Sequence, residues 1–205
     1  MGARGLAAHK KGAKRNGATV IFVDETGFSQ RPSVRRTYAP RGQTPVLKEH
    51  FNWKRLSAIG AIAWRPQEAA TRLFLTVRPG SISSPDVVEF LRSLRRHIRG
   101  RVVVIWDGLT CHRSGETQRY VASQKHWLTV ERFPAYAPEL NPLEVLWSTL
   151  KGKDVANYSP DSMGELDGHL RRSIRRVRRR DMGLNFIKHA GLISKKEHKH
   201  LCKGQ

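Results

Sequence analysis

Three carboxylates in this 205-residue chain stand where chemistry can be done. Two apolar runs each end on an aspartate: VIFVD delivers Asp24, and VVVIWD delivers Asp107. The third carboxylate, Glu144, opens the run NPLEVLW. If the two apolar runs are neighbouring strands, both aspartates reach one edge of a sheet. Carboxylates held close together repel, so they need a cation between them or a proton on one of them. Hard divalent ions such as Mg²⁺ favour this oxygen-only ligation.

Each residue also has a plainer reading. Asn141 can cap a helix with Pro142 in its first turn, which makes N-x-x-E a capping-box-like pattern and places Glu144 favourably for the helix dipole. Aspartates at strand ends are common loop formers. The case for a site rests on the three acids together, on a chain built to attract polyanions.

The elements that must position them emerge from pattern. Thr19 to Val23 is β-branched and apolar and reads as a buried strand ending at Asp24, with Gly27 marking a turn. A proline-rich excursion (RPSVRRTYAPRGQTPVL) comes next, as a hairpin or loop. Residues 54–64 and 71–80 read as two more strands. A helix then starts at Ser83 or Ser84, with Pro85 in its first turn and an apolar face through Val87, Val88, Phe90, Leu91, Leu94 and Ile98. RVVVIWDG is a fourth strand, a short helix spans about 114–124, HWLTVERF is a fifth strand, and a helix covers about 142–152. Beyond residue 160 comes a strongly cationic helix capped by Ser159 or Asp161, then one or two short helices. This order predicts an α/β layer fold, a mixed central sheet flanked by helices. Three parts are expected: a basic leader (1–18), a core (19–158) and a basic helical extension (159–205).

Charge narrows the partners. Lys and Arg number 38 against 17 acidic residues, a net charge of +21, and the isoelectric point is near 11.0. Such a chain attracts polyanions, above all nucleic acid. No apolar run is long enough for a membrane span, and the basic N-terminus lacks the apolar core of a secretory signal. Two cysteines, Cys111 and Cys202, give no disulfide framework and fit a reducing cytoplasm.

Three segments now acquire a common meaning. VDETGF (23–28), VIWDGLTCH (104–112) and YAPELNPLEVLW (136–147) resemble, in order, the three catalytic motifs of the IS630/Tc1/mariner superfamily of DDE transposases. YAPRGQTPVL and RPGSISSPDVVEFL are similar to IS630-type segments, and the 37 residues from Asp107 to Glu144 match the superfamily's short second spacing. The resemblance implies an RNase H-like fold in which Asp24, Asp107 and Glu144 ligate two Mg²⁺ ions, with Mn²⁺ able to substitute. It implies in-line displacement at phosphorus, so that one site cuts donor DNA and joins the freed end to a target. Double-stranded DNA, a homodimer at synapsis, target sites of TA character and a bacterial cytoplasmic location are implied in the same way. A purely hydrolytic nuclease and a repurposed DNA-binding remnant are the competing readings.

Two departures qualify the match. The residue after the second aspartate is often Asn in the family and is Gly108 here. Relatives carry helix-turn-helix modules ahead of the core, whereas about eighteen residues precede the first strand here. End recognition is therefore expected on a partner chain or an upstream frame. Around the acids, Glu25 is expected in a supporting role, or as an outer ligand if the chain turns at Gly27. His112 is expected to orient a phosphate or a water at the metals, or to be a plain loop histidine. Trp147, three residues after Glu144, is expected to pack the helix onto the sheet. Arg171, Arg172, Arg175, Arg176 and Arg179, with Arg178 and Arg180, form a DNA-facing cluster over a buried stripe of Leu170, Ile174 and Val177. Arg35, Arg36 and Arg41, with Arg31, form a second DNA-facing patch. His198, His200 and Cys202 lack a matching ligand pair and are not expected to hold zinc.

Overall fold

A computed structural model describes residues 17–31, 33–47, 54–68, 70–133, 138–179 and 182–193. The leader and Arg180, His198, His200 and Cys202 lie outside the described residues. Five strands form one sheet: β1 (Thr19–Ser29), β2 (Arg55–Arg65), β3 (Ala70–Pro79), β4 (Val102–Trp106) and β5 (Leu128–Arg132), in the order β3-β2-β1-β4-β5. β1, β2 and β3 pair antiparallel, while β4 pairs parallel with both β1 and β5. The sheet is mixed, as the sequence predicts.

Helices cover both faces, and β1 is apolar on both because it lies in the middle. Val20 and Phe22 point to one face, where they pack with Leu143, Leu146 and Trp147 of α4 (Pro142–Thr149), with α5 (Met163–Arg179) and with α6 (Gly183–His189). Ile21 and Val23 point to the other, against Val87, Phe90, Leu91 and Leu94 of α1 (Ser84–His97). Two short helices, α2 (Thr110–Arg113) and α3 (Gly115–Ser123), come after β4. Leu166, Leu170, Ile174 and Val177 join α5 to the same core as β1 and β2, so the cationic helix is an integral layer.

Three local expectations are corrected. β1 does not stop at Asp24. It runs five residues further, and Gly27 stays in the ladder opposite Ser57. The short helix expected at about 114–124 is present as Gly115–Ser123, capped by the Ser114 hydroxyl, which accepts from the Thr117 N–H at 3.2 Å; a further turn of helix, Thr110–Arg113, precedes it. The cap of α5 is Ser162, whose Oγ accepts from the Glu165 N–H at 3.1 Å. The helix carrying Glu144 is regular only to Thr149, then widens into a π segment (Leu150–Asp154) closed by the Val155 N–H to Leu150 O bond. A π turn inserts one extra residue per turn and rotates the chain beyond it about the helix axis.

Candidate active site

Strand register brings the first two acids together. Phe22 lies opposite Ile105 in the parallel β1–β4 pair, so two residues on, the same register sets Asp24 level with Asp107. Asp24 is in the ladder, whereas Asp107 stands one residue past the end of β4. Side chains alternate along β1, so Asp24 shares the face of Phe22 and Glu25 shares that of Val23.

Asp24 is buried, at 8% exposure. The Trp147 indole Nε1 donates to its Oδ2 at 2.8 Å. Burial pushes the Asp24 carboxyl up to about 7; the Trp147 hydrogen bond pulls it back, and the charges of Glu25 and Glu144 push it further up. Directly across the ladder, Asp24 pairs with Gly60. A β-carbon at Gly60 would sit 2.8 Å from Trp147 Cη2, 3.0 Å from Cζ2 and 3.1 Å from Leu143 Cδ2. The indole therefore lies flush on bare backbone, which is how it reaches the aspartate.

Glu144 is the third residue of α4 and is exposed. Asn141 caps the helix, its Oδ1 accepting from the Leu143 N–H at 3.1 Å. The reciprocal half of a capping box is not made: among the described residues, the Glu144 carboxylate accepts no hydrogen bond. Local helix chemistry aims this residue without consuming it.

Asp107 is held differently. Its Oδ1 accepts from the Leu109 N–H at 3.0 Å and lies 2.9 Å from His112 Nδ1. Partial burial would raise its carboxyl, but the hydrogen bonds from His112 and Leu109 outweigh that and hold it low. His112 is 1% exposed and lies flat on Trp106, with ring centroids 4.2 Å apart. Its Nε2 is 3.0 Å from Glu25 Oε1. Burial alone would lower the imidazole, yet its bonds to Asp107 and Glu25 and their charges lift it to about 9. An imidazolium donating from both nitrogens thus bridges Glu25 to Asp107. Two alternatives fall away: His112 is too enclosed to meet a phosphate, and Glu25, on a β1 that does not turn at Gly27, points away from the carboxylate edge.

Comparison with known proteins decides the family. The model of the DDE superfamily endonuclease domain (DDE_3) matches residues 19–167. The chain belongs to that family. An insertion element IS630 protein of 39 kDa from Shigella sonnei is 24% identical over 149 residues, 72% of this chain and 42% of that protein. The Mos1 transposase paired-end complex with left transposon end superposes with a TM-score of 0.60 at 14% identity, over 98% of this chain and 60% of that one. The isolated catalytic domain of Mos1 mariner transposase gives 0.53 at 13% identity, over 99% and 95%. These likenesses show the RNase H-like fold. The DDE chain spans less than half of the IS630 relative's length.

The basic residues of this DDE chain divide by partner. Arg171, Arg172, Arg175, Arg176 and Arg179 are all exposed on α5, with Leu170, Ile174 and Val177 on its buried stripe. Arg171 pairs with Asp167 at 2.6 Å. Arg176 pairs with Asp154, whose side chain is only 6% exposed. Those two cations are engaged structurally; Arg175 and Arg179 make no ion pair among the described residues. Arg35, Arg36 and Arg41 lie exposed in the irregular segment between β1 and β2.

Sequence reading missed Gly60 and Asn157. The signal for Gly60 was present: a lone glycine inside a strand pattern marks a close approach. Asn157 adopts φ 56° and clamps the excursion, its Oδ1 accepting from the Arg35 N–H at 2.8 Å and its Nδ2 donating to Arg35 O at 2.9 Å. Nothing in the local pattern announced a partner 122 residues away.

Proposed function

We propose that this chain carries the catalytic domain of a DNA transposase. In this reading Asp24, Asp107 and Glu144 hold two Mg²⁺ ions, replaceable by Mn²⁺, and the domain cuts double-stranded transposon ends and joins them to target DNA. The observation that carries the reading is the convergence of the three acids. Register sets Asp24 level with Asp107, and the charge of Glu144 is felt at Asp24.

The donor set fits a hard divalent cation. It is all oxygen and carries excess negative charge, and one member is pushed to about 7 when no cation balances it. When bound, such ions activate an attacking hydroxyl and neutralise charge on the leaving oxygen at phosphorus. The protein's own residues do the positioning. Trp147 fixes Oδ2 of Asp24. His112, itself fixed by Glu25 and Trp106, fixes Asp107 Oδ1. Glu144 stays unencumbered on the first turn of α4. The excess cationic surface draws DNA to these acids. A homodimer supplies synapsis.

The test is incubation with Mg²⁺, supercoiled plasmid and a labelled oligonucleotide bearing a free 3′-hydroxyl. Nicked plasmid and joined label are expected, both lost in Asp107→Asn while DNA binding persists. Nicking without joining would reduce the activity to a hydrolytic nuclease. Binding with no metal-dependent product would mark a DNA-binding remnant and overturn the proposal.

A further inference from the structure

One cationic recess beside the carboxylates has no part in the arrangement above. Gly27, Phe28, Ser29, Arg31, Ser33, Lys151 and Val155 line a cavity of ≈ 330 Å³ where the end of β1 meets the π segment. The Lys151 ammonium lies 5.7 Å from the centre of the Phe28 ring. Among the described residues, no carboxylate pairs with it. The Arg35 guanidinium reaches the same turn, with Nη2 3.9 Å from where a β-carbon on Gly152 would stand. Arg35 is brought there by the Asn157 clamp and by the bridge between Ser33 and Ala156.

The recess is in line with the acids. Phe28 lies on the same face of β1 as Asp24, four residues on, which is about 13 Å along a strand. Lys151 lies seven residues beyond Glu144, the last two of them in the π segment, so it stands about 10 Å along the helix axis. A DNA strand advances about 3.4 Å along its axis per nucleotide while winding around it, so successive phosphates lie about twice that far apart. The two routes therefore agree on a phosphate about two nucleotides from one at the acids.

We propose that Lys151, with Arg31 and Arg35, seats a backbone phosphate of the DNA strand being cut, about two nucleotides from the scissile phosphate. The seat makes Lys151 a positioning residue, and the Asn157 clamp and the π segment shape it. The positional part of this inference rests on the proposed DNA-cutting function; the contact itself does not.

Two measurements separate the seat from that function. The first is affinity for a fluorescent DNA duplex in EDTA across a KCl series. Each lost phosphate contact flattens the slope of log K against log salt by about 0.9. Lys151→Met, which keeps a stem over Phe28, is expected to show that loss, and Lys151→Arg to retain the parent slope. Asn157→Gly, which accepts the positive φ but lacks the clamp, is expected to lose part of the slope. Arg99→Gln, at the opposite end of the sheet, serves as the reference for an exposed cation outside the seat. A Lys151→Met slope equal to that of the parent overturns the seat. The second measurement maps the cut made with Mg²⁺ and walks a single neutral methylphosphonate away from it. Cleavage is expected to drop at least tenfold with the neutral linkage about two nucleotides away, and that penalty to vanish in Lys151→Met. A penalty elsewhere, or one unchanged in the variant, overturns the assignment. A parent that never cuts but shows the salt-slope loss refutes the catalytic reading and leaves Lys151 as a DNA contact.

Discussion

Gly60→Ala is the sharpest test of how Asp24 is held. The new β-carbon would meet Trp147 at 2.8 Å and 3.0 Å and Leu143 at 3.1 Å, all within a buried layer. If the indole stays, overpacking of this kind costs about 1–3 kcal/mol. If it retreats, Asp24 loses a hydrogen bond, and one made to a charged group is worth about 1.5–3 kcal/mol. Either route predicts a loss of about 2 kcal/mol in denaturant unfolding at pH 8. Gly27→Ala is the matched control in the same sheet, because its β-carbon meets nothing within 4 Å. There, replacing a strand glycine is expected to be neutral or to gain about 0.5–1 kcal/mol. Metal-dependent cleavage should fall in Gly60→Ala, because an ill-held Asp24 is a poor ligand. The decisive variant is the double one. Trp147→Phe removes the indole's second ring, so Gly60→Ala should cost little in that background, giving a coupling of at least about 1 kcal/mol. Strict additivity, or a Gly60→Ala protein as stable and active as the parent, would refute the reasoning.

Other predictions concern charge. Asp24 titrates near 7 in the folded chain against 3.8 as a free side chain, so the native state keeps a proton that the unfolded chain releases. Stability is therefore fully present below pH 4 and lost as pH rises toward 7, by up to about 4 kcal/mol. Asp24→Asn should melt higher than the parent at pH 8 and equal it at pH 4; a gap independent of pH refutes this, and Mg²⁺ should stabilise the parent alone. His112→Gln leaves Glu25 buried without its cation, at a cost of about 3–5 kcal/mol that Glu25→Gln should largely relieve. Mg²⁺ affinity by calorimetry should fall about 10–100-fold, since Asp107 loses its support. Because the folded imidazole titrates near 9 rather than 6.5, the stability it confers is complete below pH 6.5 and disappears as pH passes 9. His112→Gln should lack that alkaline loss. Arg176→Ala strands Asp154 and should lower the melting temperature, whereas Arg175→Ala should leave it unchanged and weaken DNA binding in a salt-dependent way.

Much of this architecture was legible because its signals are local. Unbroken apolar runs marked β1 and β4 as central strands, and Asn-Pro fixed the start of α4 to the residue. The three motifs carried the family. What stayed hidden depends on distant partners. Gly27 looked like a turn, yet ten ladder pairs with β2 carry β1 past it. His112 looked available to substrate because its sequence neighbours are polar; only the fold lays it on Trp106 and opposite Glu25. The arginine row on α5 reads as uniform in sequence, but Arg176 is committed to an aspartate 22 residues upstream. The π widening after Thr149 has no compositional signature in LKGKD that would distinguish it from ordinary helix.

The two aspartates are held by opposite means, and the difference arises from where β1 and β4 end. Asp24 lies inside a paired strand, so its backbone cannot shift, and its support is a neutral indole donor pressed against Gly60. That environment leaves its charge uncompensated and its carboxyl high. Asp107 hangs just beyond β4, where backbone pairing has stopped, and its support is a cation anchored on the far face by Glu25 and Trp106. That environment stabilises its charge and holds its carboxyl low. One acid is thus geometrically fixed and electrostatically unsatisfied, and the other the reverse. In the proposed metal site an incoming cation has most to gain at Asp24, and the lowered carboxyl of Asp107 completes the pair. The sheet separates the two supports, so neither Trp147 nor His112 competes for the edge where Glu144 stands open.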